Sequence, residues 1–156
     1  MTVIPLTELS TPEMALIAAS AHSHPMSEST IKSCFGLLYT CLGVYEGDEL
    51  CGFAILHQIF EDATLMDICV ELKHQGKGYG KALLDTVIRQ AQAKEAETLM
   101  LEVRESGVGA RALYVKAGFE QSGVRKAYYK TAGEPEDAIL MTLTFRTHNL
   151  YELYEL

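Results

Sequence analysis

The hydrophobic pattern of the chain changes period several times, and each change predicts an element. Met14, Ile17, Ala18 and Ala21 recur at three- and four-residue intervals behind Thr11-Pro12-Glu13. Proline suits the first helical position, where its missing N–H would have no partner, so a helix running to about His22 is predicted. Ser27 can cap free amides ahead of Ile31, Cys34 and Phe35, which predicts a short second helix ending near Gly36. From Leu38 to Val44 and from Leu50 to Ile59 the chain is rich in β-branched and apolar residues, with Glu46-Gly47-Asp48 as turn chemistry between them. These runs predict a β-hairpin, and a second turn at Glu61-Asp62 leads into a third strand from Thr64 to Val70.

After a glycine-rich segment, Ala82, Leu83, Val87, Ile88 and Ala91 return to helical spacing. A strand at Leu99 to Val103, a helix at Ala110 to Tyr114 and a stop at Gly118-Phe119 follow. Two last strands, near Gln121 to Tyr129 and Ala138 to Phe145, flank the turn Ala132-Gly133-Glu134-Pro135. No repeat or linker interrupts the chain, so residues 1–146 read as one domain and residues 147–156 as a C-terminal tail that alternates polar and apolar positions.

Composition removes some functions. With 156 residues of which 48% are hydrophobic, the chain can bury one core. A formal net charge of −8 argues against reading a phosphate backbone, which needs clustered Lys and Arg, so no direct nucleic-acid contact is expected. An acidic surface instead attracts amines and basic polypeptides. Cys34, Cys41, Cys51 and Cys69 match neither a CxxC metal clamp nor a disulfide scaffold and read as reduced, buried thiols. No apolar run reaches membrane-spanning length, and Met1-Thr2-Val3-Ile4-Pro5 lacks the regions of a signal peptide, so no membrane association and a cytoplasmic location are expected. His22 and His24 have no further ligands nearby in sequence; they read as exposed loop histidines, and no metal is expected.

The segment Gln75-Gly76-Lys77-Gly78-Tyr79-Gly80-Lys81 lies where a strand becomes a helix. Glycines there allow close backbone approach, and unpaired amides at the helix start point at an anion, with Lys77 and Lys81 adding positive charge. A tight turn with no ligand is the competing reading. The preceding antiparallel strands distinguish the segment from a dinucleotide fingerprint, and the lack of a terminal GKS or GKT distinguishes it from a nucleotide P-loop.

Gln75-x-x-Gly78-x-Gly80 after Ile68-Cys69-Val70 resembles the acyl-CoA signature of the GNAT superfamily of N-acetyltransferases. Leu101-Glu102-Val103-Arg104-x-Ser106, Ala110-x-x-Leu113-Tyr114, Gly118-Phe119, Arg125-Lys126-Ala127-Tyr128-Tyr129 and Glu136-Asp137-Ala138 are similar to its RimI-like subgroup, the ribosomal-protein-alanine N-acetyltransferases. The likeness spans roughly Ser27 to Met141. It implies an α/β (α+β) GNAT fold, a mixed, mostly antiparallel central sheet flanked by helices. The strands ending at Val70 and Val103 would splay to admit acetyl-CoA as co-substrate, held by Ile68, Cys69, Val70 and the segment Gly76, Lys77, Gly78, Tyr79, Gly80, Lys81. It further implies direct attack by the N-terminal alanine amine of a small-subunit ribosomal protein, with Glu102 taking a proton and Tyr114 supplying one. Tyr128, Tyr129 and the first two helices would line the peptide side.

Without the resemblance, Glu102 reads as a strand-edge carboxylate paired with Arg104 or Lys126, and Tyr114 as an aromatic anchor of its helix. Two positions depart from the subgroup: Gly107 stands where Asn is usual, removing a contact to the cofactor arm, and Met26 stands where an aromatic is common. Other protein N-termini or small amines remain alternative acceptors, and a non-catalytic acyl-CoA sensor is an alternative function.

Overall fold

In a computed structural model of the chain, which describes residues 1–129 and 133–145, seven strands and four α-helices are arranged around one sheet. In chain order the elements are β1 (Thr2–Pro5), α1 (Thr11–Ala21), α2 (Glu28–Lys32), β2 (Tyr39–Glu46), β3 (Glu49–Ile59), β4 (Asp62–Val70), α3 (Tyr79–Ala93), β5 (Thr98–Arg104), α4 (Val108–Lys116), β6 (Glu120–Tyr129) and β7 (Glu136–Thr144). The strand order is β1-β2-β3-β4-β5-β7-β6, antiparallel throughout except where β4 meets β5. This is the mixed, mostly antiparallel sheet read from the sequence. The proposed C-terminal tail lies outside the described residues, as does Ala132 of the last turn.

β3 shows why both faces of the sheet are covered. Leu50, Phe53 and Ile55 pack with Met14, Ile17, Ala18 and Ile31 of α1 and α2, whereas Cys51, Ala54 and Leu56 pack with Leu83, Leu84, Val87 and Ala91 of α3. Neither face of this strand is polar, as expected for a strand buried between two layers. Ser27 caps α2 as predicted, its Oγ accepting from the Thr30 amide at 3.2 Å. Strand β1 was not predicted. It is a short edge strand, paired through Val3 and Ile4 to Val44 and Gly43, and it shows no apolar alternation because most of it is exposed.

Two local features shape the centre of the sheet. The parallel ladder between β4 and β5 consists of Asp62–Thr98, Ala63–Leu99 and Thr64–Met100, and beyond that the strands part. In β4, Leu65 faces Leu56 and Asp67 faces Ile55, leaving Met66 as an extra residue without a partner across the ladder. Such a bulge bends its strand and reverses the side-chain alternation downstream. Ala63 and Leu65 point to α3, and after the bulge so do Ile68 and Val70, while Cys69 joins the α1 face.

Candidate active site

The parted strands open a wedge with two confluent cavities. One, of about 550 Å³, is lined by Ile68, Cys69 and Val70 of β4, by Gly76, Gly78, Tyr79 and Gly80, and by Gly109 and Leu113 of α4. The other, of about 410 Å³, is lined by Met66 and Asp67 of β4, by Leu101 to Arg104 of β5, by Ser23, His24 and Met26 after α1, and by Tyr129. Ala21, His22, Ile68, Ala110 and Tyr114 wall both.

The first cavity has the chemistry of a phosphate cradle. Gly76 and Gly78 adopt left-handed φ values of 80° and 85°, and a Cβ at either would meet nothing within 4 Å. The first helical hydrogen bond of α3 is donated by the Ala82 amide to the Gly78 carbonyl at 3.1 Å, so the amides of Gly78 to Lys81 have no acceptor within the helix. Gln75 Nε2 donates to the Val70 carbonyl at 3.0 Å and ties this loop to the end of β4. Lys77 and Lys81 line neither cavity: Lys77 Nζ lies 3.7 Å from Glu46, and Lys81 Nζ pairs with Asp85 at 2.7 Å. The groups turned toward this cavity are amides at the start of α3, while the two ammonium groups are turned to carboxylates.

Cys69 contributes its backbone to the wall while its side chain is buried on the other face, where burial pushes the thiol up and keeps it protonated. All four cysteines are free and buried, as the sequence implied. Gly107 is the N-cap of α4, so its flexibility does not weaken the helix interior. A Cβ there would come within 3.1 Å of the Arg104 carbonyl and of Val103, a tight fit. Gly109 lies one position inside the helix beside open space in the cradle cavity.

Tyr114 is buried, its ring 5.7 Å from that of Phe119, and Ala110, one turn earlier on α4, joins it in both cavity walls. Burial, with a smaller contribution from the Asp67 charge, pushes its phenol up to about 12, so the hydroxyl keeps its proton at neutral pH. Glu102 lines the second cavity and is ion-paired with Arg125 Nη2 at 3.3 Å, neither Arg104 nor Lys126 being its partner. Lys126 goes instead to Asp137 at 3.2 Å. Arg104 stacks over Tyr129 at 4.2 Å, reaches Glu136 at 3.5 Å and lies 3.3 Å from His24 Nδ1. Hydrogen bonds from the side chain and amide of Ser106 hold the Glu136 carboxyl below the usual carboxylate range. Tyr128 lines neither cavity and is half exposed.

Two residues near the junction were given no role in the site from the sequence. His22, read as an exposed loop histidine, caps the C-terminus of α1 and places Nε2 3.2 Å from Asp67 Oδ1. Asp67 had a readable signal, a lone carboxylate inside the apolar run Leu65 to Val70, but its partner is 45 residues away. Its Oδ2 is buried without a donor among the described residues. The hydrogen bond to Asp67 raises the His22 imidazole above its ordinary value of about 6.5, against a smaller opposing effect of burial. A raised folded-state value means the pair's stabilisation is complete below about pH 6.5 and fades as pH climbs through the folded value. Asp67→Asn is therefore expected to lower Tm by about 2–4 °C at pH 6 and by less than half of that at pH 9, read by thermal melting at both values.

A sheet split at its parallel pair, an amide cradle after the fourth strand and a buried tyrosine at the confluence define an acyl-transfer scaffold. The chain belongs to the acetyltransferase (GNAT) family, whose sequence profile matches residues 6–119. It is 42% identical over 126 residues to the [ribosomal protein bS18]-alanine N-acetyltransferase of Haemophilus influenzae, covering 80% of this chain and 86% of that one. The crystal structure of the ribosomal-protein-S18-alanine N-acetyltransferase from Escherichia coli superposes with a TM-score of 0.92 at 34% identity, covering 96% of each chain. A GNAT family acetyltransferase from Elizabethkingia anophelis with acetyl-CoA bound superposes with a TM-score of 0.75 at 25% identity, covering 92% of this chain and 97% of that one.

Proposed function

We propose that this acetyltransferase moves the acetyl group of acetyl-CoA to the N-terminal alanine amine of ribosomal protein bS18, in the cytoplasm. The observation that carries the reading is the division of the wedge. One cavity offers amides without a helical acceptor at the start of α3, the other offers two carboxylates, and the buried phenol of Tyr114 lines both. Acetyl-CoA supplies the thioester. Its diphosphate fits the cradle because Gly76 and Gly78 leave open space where side chains would stand. The pantetheine arm fits along Ile68 to Val70, whose edge toward β5 is free of a ladder partner.

The acceptor enters from the side of His24, Met26 and Tyr129. A terminal ammonium, with a pKa of about 8, must lose a proton before it can attack. Glu102 is the proposed acceptor for that proton, directly or through water, and its ion pair with Arg125 fixes where the carboxylate stands. As the C–S bond breaks, negative charge develops on sulfur and the Tyr114 hydroxyl delivers a proton to it. A buried, non-ionised phenol is suited to that task because its proton is not lost to solvent beforehand. The overall acidity of the chain, −8, favours encounter with a basic ribosomal protein.

The experiment is mass spectrometry of a peptide carrying the bS18 N-terminus after incubation with acetyl-CoA and the protein. A gain of one acetyl group on the terminal amine is expected, and Glu102→Gln is expected to lower kcat about a hundredfold with CoA affinity preserved. An unmodified peptide would sink the acceptor assignment.

A further inference from the structure

Forming an amide from an ammonium and a thioester removes two protons from nitrogen. The first leaves before attack, and the second leaves the tetrahedral adduct once the C–N bond has formed, because the adduct nitrogen still bears a positive charge. One proton is added to the departing sulfur, so one is released in total. Glu102 can take the first from the acceptor cavity, and Tyr114 can serve the sulfur. The second proton has to be taken where the carbon is, at the confluence of the two cavities.

Five residues wall that confluence, Ala21, His22, Ile68, Ala110 and Tyr114, and of their side chains only those of Tyr114 and His22 can accept or give a proton. Glu102 lines the acceptor cavity alone. We propose that His22 is a further catalytic residue of the acetyl transfer, taking the second proton from the adduct nitrogen, and that Asp67 is its positioning residue. The proposal rests on the acetyl-transfer reading of the site given above.

The geometry follows the logic of a base held by a carboxylate. Asp67 Oδ1 lies 3.2 Å from His22 Nε2, which turns the opposite nitrogen, Nδ1, away from the carboxylate and fixes the ring. Asp67 is itself placed by the bulge at Met66, which turns this carboxylate to the α1 side of the sheet. The backbone of His22 is held in the last turn of α1, its amide donating to the Ala18 carbonyl at 2.9 Å. Charged groups facing the imidazole are Asp67 from β4, which favours the imidazolium, and Arg104 from β5, which opposes it and is shared with the neighbouring His24. With a side chain 36% exposed, His22 can discharge its proton to water or return it to the Tyr114 phenolate across the confluence. The cycle then closes: nitrogen gives one proton to Glu102 and one to His22, sulfur gains one from Tyr114, Tyr114 is restored by His22, and Glu102 releases one to solvent.

The test is steady-state kinetics of His22→Gln and Asp67→Asn on the bS18 peptide, with CoA affinity by calorimetry and melting temperature as controls. His22→Gln is expected to lower kcat about a hundredfold with CoA affinity unchanged, and to remove from the pH dependence of kcat the ascending limb that an imidazole base predicts for wild type above about pH 6.5. Asp67→Asn is expected to move that limb to lower pH with a loss of about tenfold, an effect that mere loss of packing would not produce. A His22→Gln enzyme within threefold of wild type, with the pH profile retained, overturns the inference while leaving the acetyl-transfer reading intact. A wild-type protein that fails to modify the peptide overturns both the acceptor reading and this step. Variants that lose CoA affinity together with kcat assign the pair a structural role and overturn the proposal as well.

Discussion

Tyr114→Phe is expected to reduce kcat about a thousandfold while CoA affinity and melting temperature stay close to wild type. The substitution deletes one oxygen from a ring held against Phe119 and leaves the apolar contacts in place. Loss of the proton that sulfur receives forces expulsion of a free thiolate with no donor beside it, and general acid catalysis of this kind contributes about 10²–10⁴-fold. The kinetic signature is a fall in kcat and kcat/KM together, since the hydroxyl acts on the departing group rather than on either bound substrate. Rates restored by an acyl donor with a more acidic leaving thiol would confirm the role, and a Phe variant as fast as wild type would remove it.

The second large effect is expected at Gly52, from the packing of the sheet rather than from its chemistry. Gly52 sits opposite Val70 in the ladder, and a Cβ there would come within 2.7 Å of the Cys69 carbonyl and 3.2 Å of the Val70 Cα. Both contacts are backbone atoms, so Gly52→Ala cannot be relieved by rotating a side chain. β4 must shift at the two residues that bound the cradle cavity. Overpacking of this kind costs about 1–3 kcal/mol, and the displaced strand is expected to weaken CoA binding about tenfold or more. Denaturant melts and CoA calorimetry read the two effects separately. An alanine variant with native stability and native affinity would show that the two strands have room to separate.

Helix α3 and strand β3 were legible because their burial follows simple periods, Leu83, Val87 and Ala91 on the one and a doubly apolar run on the other, whereas β6, exposed over almost its whole length, was read from the turn chemistry that follows it. β1 was not, because an edge strand exposed over most of its length carries no alternation to detect. The cradle and Tyr114 were legible as motifs, and the structure brings Gly76, Gly78, Gly80 and Tyr114 around connected cavities. The partner of Glu102 was not. Arg125, Lys126 and Ala127 lie where β6 departs from regular register, with Ala127 at a φ of 52°, so strict alternation could not tell which of Arg125 and Lys126 turns toward β5. The His22–Asp67 pair escaped for a different reason. It joins a helix end to a strand interior 45 positions away, and only the fold places them together.

The unpaired residue Met66 sets the phase of everything after it in β4. Counting by twos from Ala63 and Leu65, a regular strand would have carried Asp67 into the layer under α3 and turned Ile68 and Val70 toward α1. One additional amino acid exchanges those assignments, so the portion before it serves as a structural beam and the portion after it as reaction vessel. Deleting Met66 alone would straighten the strand and leave Asp67, Ile68 and Val70 on their present faces, whereas drawing Met66 into a regular ladder would turn the Asp67 carboxylate in among the leucines under α3 and aim Ile68 and Val70 away from the cradle.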